Sequence, residues 1–314
     1  MTTWRSAPCF SSFYASFSPS YYSHCSSSLV RQWWRRPSTV EMACCDGAMR
    51  FFTTSSCRAR RARCVISSVF SPTIIQDAGA TVVSLGGAYS LVRIFDVLTD
   101  QNVIDQKLSR KIVHVLSGLL FVFSWPLFSS SMEARIFASI VPLLNSFRLV
   151  IYGLSLAKDE GLIKSVTREG NPKELLRGPL YYVLVLLFCV ITFWRNSPVG
   201  IISLTMMSAG DGFADIVGRR YGKVKLPYNG DKSLAGSMSM FFSGFFTSLG
   251  MLYYYSSLGF IELDWSNMVE KVALVSGVAT IVESFPIGDV LDDNISVPLS
   301  SILMAILVFG TPAL

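Results

Sequence analysis

The chain has 314 residues, of which 51% are hydrophobic and 15% charged, against roughly 25% charged in an average soluble protein. That balance argues against an ordinary soluble domain. The formal charge of +6 belongs to residues 1–64, which hold nine Arg, no Lys and only Glu41 and Asp46 as acids, so the nearly neutral remainder carries no nucleic-acid footprint.

Cysteine divides the same way. Cys9, Cys25, Cys44, Cys45, Cys57 and Cys64 precede the apolar body, and Cys189 alone lies inside it, so neither a disulfide framework nor a zinc set is expected there. His24 also lies in the leading stretch. His114 is then the sole histidine of the body, which excludes a metal site built from several histidines. Residues 1–64 are rich in Ser and Arg, poor in acids and free of a long apolar run, the composition of an organelle transit peptide rather than of a secretory signal. Residues 65–314 are expected to form one polytopic membrane domain.

A helix crossing a bilayer needs about 20 mostly apolar residues. Eight stretches qualify, near 78–98, 112–128, 134–156, 179–194, 199–217, 234–257, 269–285 and 296–312. The expected fold is all-α, a helical bundle with about seven or eight transmembrane helices, because helices satisfy their own backbone groups in lipid. The first stretch is the least regular, with Asp77 at one end and Arg93 and Asp96 near the other.

Alternate loops share one side of a membrane, and the basic residues segregate accordingly. Loop one has Lys107, Arg110 and Lys111; loop three has Lys158, Lys164, Arg168, Lys173 and Arg177; loop five has Arg219, Arg220, Lys223, Lys225 and Lys232. The even loops contribute only Arg135, Arg195 and Lys271. This bias places the odd loops on the side where the protein is made, the stroma for a plastid protein.

Topology alone does not explain the company these charges keep in "SAGDGFADIVGRRYGKVKLPYNGDKSLAGS". Asp211 and Asp215 stand one helical turn apart on one face, at the expected membrane boundary, where ionisable residues are functional suspects. Two such carboxylates can share Mg²⁺, whose oxygen ligands come from one or two carboxylates plus substrate phosphates. Arg219, Arg220, Lys223, Lys225 and Lys232 follow, among Gly210, Gly212, Gly218, Gly222, Gly230 and Gly236. Glycine lets backbone N–H groups approach a phosphate, and the cations neutralise it. The outline is a nucleoside triphosphate site. It contains neither the G-x-x-x-x-G-K-[ST] loop nor a G-x-G-x-x-G turn after a strand. The bland alternative is close helix packing through small residues, with basic anchors.

Further along, "ESFPIGDVLDDN" places Glu283 at the end of an apolar run and Asp289, Asp292, Asp293 and Asn294 on the same side as loop five. Asp292 and Asp293 read equally as a second metal contact or as an acidic cap on the last helix. Lys107, Lys111 and His114 recur at helical spacing and face one way.

These residues resemble a family. The loop-five run is similar to the signature of the membrane polyprenol kinases, which are related to dolichol kinase and to CTP-dependent cytidylyltransferases. "DQKLSRKIVHVLSGLLF", "SWPLFSS", "ELLRGPLYYV" and "VESFPIGDVLDDN" extend the likeness, in order, from about residue 104 to 297, toward the branch that contains the plant chloroplast phytol and farnesol kinases. The resemblance implies a multi-pass chloroplast membrane enzyme that transfers a phosphoryl group from CTP, with Mg²⁺, to phytol or a similar long-chain isoprenoid alcohol. It implies a product that feeds tocopherol synthesis.

The residues expected to act follow from both readings. Asp211, Asp215 and Glu283 are the catalytic candidates. Asp211, Asp215, Asp292 and Asp293 are the metal candidates. Gly212, Gly218, Arg219, Arg220, Gly222, Lys223, Lys232, Gly236, Lys111 and His114 are the nucleotide-binding candidates. Farnesol or geranylgeraniol is an alternative acceptor, a membrane cytidylyltransferase is an alternative enzyme, and a transporter is the alternative outside enzymes. A fluorescent protein fused behind residues 1–70 is expected to collect in plastids; diffuse cytosolic fluorescence would remove the targeting assignment.

Overall fold

The computed structural model describes residues 71–157, 161, 163, 166, 167, 170–286 and 292–310. The expected transit segment, Asp289, and Lys158, Lys164 and Arg168 of loop three lie outside the described residues.

Eight helical stretches stand where eight were expected. They are α1 (Pro72–Asp100), α2 (Gln106–Ser124), α3 (Ala134–Gly153), α4 (Gly178–Thr192), a broken stretch made of α5 (Pro198–Thr205) and α6 (Asp211–Tyr221), then α7 (Leu234–Ser257), α8 (Trp265–Ser284) and α9 (Asp293–Phe309). A 3₁₀ turn, Trp125–Leu127, extends α2, and another, Pro172–Leu176, precedes α4. The sequence explains most of the helix starts. Ser71, Ser197, Ser233, Asp264 and Asp292 each accept a hydrogen bond from a backbone N–H two or three residues ahead, capping α1, α5, α7, α8 and α9. Pro72, Pro179 and Pro198 sit in first turns, where a missing N–H costs nothing.

Four of the stretches are long and apolar enough to cross a membrane by themselves: Pro72–Asp100, Gln106–Leu127, Ala134–Gly153 and Pro172–Thr192. Asp293–Phe309 is apolar but shorter. The other three differ from the expectation for identifiable reasons. α5 and α6 are interrupted, α7 is rich in Ser, Gly and Tyr, and α8 carries Glu270, Lys271 and Glu283. The result is an all-α membrane bundle.

Burial orders the bundle around one element. From Val199 to Gly212 every residue is buried, so α5 and the π-helical turn Met206–Gly210 that follows it form the central strut. α2, α7 and α9 pack against this strut. The outer faces show the inverse of a soluble protein, with Val82, Ile136, Phe246, Tyr253 and Leu307 among the most exposed large side chains. Such a surface is stable against hydrocarbon.

Close packing and internal polar pairs hold the helices together, as expected where the hydrophobic effect does not drive association. A Cβ on Gly244 would sit 2.3 Å from the Met206 sulfur, and one on Gly118 2.3 Å from the Tyr182 hydroxyl. The Thr205 and Ser248 hydroxyls pair at 2.7 Å in the core. The two carboxylates that made the first stretch look irregular are buried, while Arg93 stays exposed. Asp77 accepts from the Ser129 N–H at 2.6 Å, the Ser129 hydroxyl at 2.8 Å and the Ser131 hydroxyl at 3.1 Å. Asp96 accepts from Arg93 at 3.0 Å.

Arg195 performs the matching service for the turn after α2. Its guanidinium donates to the carbonyls of Trp125, Phe128 and Ser129 at 3.3, 2.7 and 2.6 Å, and lies 4.4 Å from the centre of the Phe260 ring. Arg195→Leu strands three buried acceptors. We expect a loss of about 3 kcal/mol of stability, read as a lower thermal inactivation temperature in detergent, with Arg195→Lys intermediate.

Candidate active site

The site is built where the central strut ends. The π-helical turn widens the helix just before Asp211, a distortion often found at functional positions, and α6 then carries Asp211 and Asp215 on one face toward α2. From α2, Lys111 reaches the Asp211 carboxylate at 2.9 Å. Its neighbour His114 places Nε2 at 3.5 Å from the same carboxylate and 3.0 Å from the Met207 carbonyl. Because a carbonyl only accepts, Nε2 carries the proton in the neutral ring, which leaves Nδ1 as an acceptor. The Tyr182 ring lies 4.2 Å from the imidazole, and its hydroxyl donates to the His114 carbonyl at 2.8 Å.

Asp215 accepts from Arg219 at 2.8 Å, and Lys111 and Arg110 both lie 3.9 Å from its other oxygen. That oxygen, Oδ2, is buried without a hydrogen-bond partner. The loop expected after α6 is a short antiparallel hairpin, β1 (Lys225–Leu226) and β2 (Asn229–Ser233), with Lys225 opposite Ser233. Asn229 and Tyr228 fasten the hairpin to Ser284 at the end of α8, at 3.0 and 2.9 Å. Lys232 is thereby set between Glu283 of α8 and Asp293 of α9, bonding the first closely and the second at 2.9 Å. Burial alone would lower the Lys232 ammonium; the two carboxylates outweigh it and hold the group above the ordinary lysine range. Lys232 therefore stays charged throughout the neutral range.

These groups enclose a polar cavity of about 350 Å³. Its charged lining consists of Lys111, Arg219, Lys225 and Lys232 against Asp211, Asp215, Asp231, Glu283 and Asp293. Four cations meet five carboxylates, so the cavity by itself is not electropositive. The N-terminal turn of the 24-residue α7 opens onto it through Ser233, Gly236 and Ser237, a geometry suited to anions. A Cβ on Gly236 would come within 3.0 Å of the Ala214 carbonyl, which accounts for glycine at that step. A second, bridging cavity of about 400 Å³ shares Lys111, Asp211 and Asp293 with the first and adds Arg110, His114 and Asp292.

Most of the residues singled out in the sequence come together here. Asp211, Asp215, Glu283, Asp293, Arg219, Lys232, Lys111, Gly218 and Gly236 line the polar cavity, and His114 borders it across the bridge. Five do not line it. Gly212 is buried where α6 meets α2, with Val115 only 2.1 Å from a Cβ placed on it, so it serves helix packing. Gly222 follows α6, with Ser233 and the Gly218 carbonyl against it. Arg220 lies over Tyr221 and borders an outer cavity with Lys107. Lys223 is exposed. Asp292 caps α9, accepting from the Asn294 N–H at 2.9 Å, the capping alternative stated above. Asp231, Ser233 and Ser237 were not singled out, and Lys225 and Arg110 were named only among the loop cations. Which of the loop cations border the cavity is set by how the hairpin is fastened to α8, and no local spacing signals it.

Among the described residues no three His, Cys, Asp or Glu side chains converge as a metal cage. Two carboxylate oxygens of the polar cavity, Asp215 Oδ2 and Glu283 Oε2, are nevertheless buried with no hydrogen-bond partner. That donor chemistry fits a hard divalent cation that takes its remaining ligands from phosphates and water.

Curated proteins resemble the chain over most of its length. It is 61% identical over 246 residues to a maize protein named probable phytol kinase, chloroplastic, covering 78% of this chain and 81% of that one. It is 57% identical over 271 residues to phytol kinase 1, chloroplastic, of Arabidopsis thaliana, covering 86% and 89%. The chain belongs to the phytol kinase family. A soybean member, probable phytol kinase 1, chloroplastic, is 61% identical over 250 residues, covering 80% and 83%. The chain matches no family model, and no solved structure matches it.

The Lys232 cluster yields a test by coupling. Lys232→Met leaves the buried Glu283 carboxylate without its cation, and we expect a loss of about 2 kcal/mol. Adding Glu283→Gln should restore much of it. A double-mutant cycle on thermal unfolding in detergent measures the coupling; additive losses would show that Lys232 and Glu283 do not act together.

Proposed function

We propose that this chain is a phytol kinase of the plastid, a multi-pass membrane enzyme that transfers the γ-phosphoryl group of CTP to phytol and supplies phytyl phosphate for tocopherol synthesis. The names of its relatives support phytol as acceptor and the chloroplast as location. The resemblance to CTP-dependent cytidylyltransferases supports CTP. The observation that carries the kinase reading is the polar cavity at the end of the buried strut, in which Lys111 pairs with Asp211 and the α7 N-terminus faces cations and carboxylates together.

Phosphoryl transfer asks a protein for positioning and charge neutralisation rather than covalent chemistry. Arg219, Lys225 and Lys232 neutralise the triphosphate, and the α7 backbone N–H groups receive its oxygens. The alcohol oxygen forms a bond to the γ-phosphorus as the bond to the β-phosphate oxygen breaks, releasing CDP. The alcohol proton passes to Asp211, the carboxylate shared by the polar and bridging cavities. Lys111 fixes that carboxylate in place, and His114 stands beside it. A triphosphate entering a cavity of four cations and five carboxylates needs further positive charge. Mg²⁺ supplies it when bound, with Asp215 and Glu283 as the residues that would hold it and Asp293 close by.

The charged loops carry the cavity on the side the positive-inside bias assigns to the stroma, where CTP is available in solution. An isoprenoid alcohol partitions into the bilayer at roughly 0.8 kcal/mol per CH₂ and leaves its hydroxyl at the boundary.

The test is direct. Membranes bearing the chain, given phytol, CTP and Mg²⁺, are expected to yield phytyl phosphate and CDP, with CTP preferred to ATP and with turnover abolished by EDTA. Release of pyrophosphate in place of CDP would overturn the kinase reading in favour of cytidylyl transfer. Asp211→Asn should lower kcat at least a hundredfold with unchanged membrane insertion, and full activity in that variant would remove Asp211 from the mechanism.

A further inference from the structure

A further cavity, of about 330 Å³, lies between α1, α2, α3 and α4. Its walls are apolar over most of their area, with Leu85, Val92, Val113, Leu149 and Val183 among them. Tyr89 of α1 and Leu144 of α3 also line it and are exposed on the outer surface of the bundle, so it opens toward lipid. Its other end is polar. Arg110, His114, Gly178 and Asn294 line both this cavity and the bridging cavity, which continues to Asp211 and Asp293. An apolar channel thus runs from the lipid-facing surface to the His114–Asp211 contact, and a phosphate-sized polar cavity begins on the far side of that contact.

We propose that this channel holds the hydroxyl-proximal isoprene units of the acceptor alcohol. The inference rests on the kinase reading and adds to it the acceptor's path. A single amphiphile fits both ends, with a hydrocarbon chain against Val92, Val113 and Val183 and one hydroxyl at His114. Small-molecule sites commonly span about 300–1,000 Å³ and combine apolar walls with a few convergent polar groups. The cavity meets that description, and the remainder of a long chain leaves between Tyr89 and Leu144 into the bilayer. Tyr182 closes one wall. Its hydroxyl is held by the His114 carbonyl at 2.8 Å, so the ring that contacts the hydrocarbon also fixes the imidazole beside the hydroxyl. Discrimination among isoprenoid alcohols is then set by α1, α2, α3 and α4, away from the nucleotide.

Two measurements on the full chain in membranes test this. The first uses a phytol analogue carrying a diazirine near its hydroxyl, irradiated without nucleotide and mapped by mass spectrometry. Labels are expected within 85–92, 113–117 and 182–183, removed by excess phytol. Labels confined to outward positions such as Phe246 and Leu307, or equal labelling by a diazirine phospholipid at the channel residues, overturn the proposal. The second compares the two substrates. Ala88→Phe and Val183→Phe, which fill the channel, should raise KM for phytol at least tenfold while changing KM for CTP less than twofold. An unchanged KM for phytol, or an equal rise for both substrates, overturns the proposal. Channel labelling in a protein that phosphorylates no alcohol would refute the kinase reading alone; turnover with labels elsewhere would refute the channel alone.

Discussion

The contact between Lys111 and Asp211, 2.9 Å long and buried, is the point on which the arrangement depends. It joins α2 to the end of the central strut and fixes where the polar interior of this membrane bundle begins. An unpaired charge at that depth is costly, and a pair with good geometry recovers much of the cost. Around it the other charges are also committed: Asp215 to Arg219 with Arg110 and Lys111 nearby, and Lys232 to Glu283 and Asp293. Three separated parts of the chain, α2, the α6–hairpin unit and the α8–α9 ends, are drawn together by these pairs rather than by apolar contact alone.

The same pairs explain the charge balance of the cavity. A site made only of cations would be strongly repulsive within itself in the absence of a polyphosphate and would weaken the fold. Interleaving carboxylates lets the protein stand without a ligand, and on the proposed reading it would leave part of the neutralisation of a triphosphate to a divalent ion. The two carboxylate oxygens without hydrogen bonds, on Asp215 and Glu283, are the sites where this compromise is visible. The glycines follow a related division. Gly218 and Gly236 open the wall of the cavity, whereas Gly212 and Gly244 let helices approach, and both roles come from the missing Cβ.

Much of this was legible in the sequence where the signal is local. Helical spacing alone put Asp211 and Asp215 on one face and Lys111 beside His114, and the apolar runs coincide with eight helical stretches among the described residues. What could not be read is what tertiary structure decides. Lys232, Glu283 and Asp293 are 51 and 61 residues apart along the chain, and no spacing rule connects them. Arg219 and Arg220 differ by one step around a helix, which suffices to turn one into the cavity and the other onto Tyr221. The hairpin was read as a glycine-rich turn, so the fastening to Ser284 that sets its cations beside the cavity went unseen. Glycine packing and glycine cradling have the same sequence signature, and only the neighbours separate Gly212 from Gly236.

The position of the strut gives the bundle its division of labour. Because Val199 to Gly212 is surrounded on every side, its end cannot drift relative to α2, α7 and α9, and Asp211 is placed by packed helices rather than by a loop. The groups that must admit a soluble polyphosphate sit on the hairpin and on helix ends, which border water. Most of the groups that line the apolar cavity sit on the four long apolar helices at the start of the chain. On the proposed reading, water-soluble and lipid-soluble ligands approach one carboxylate from opposite directions, each through the part of the protein whose composition matches it. A membrane enzyme acting on a lipid alcohol needs that separation, since a channel wet enough for a triphosphate would expel the hydrocarbon, and one dry enough for the hydrocarbon would reject the charge.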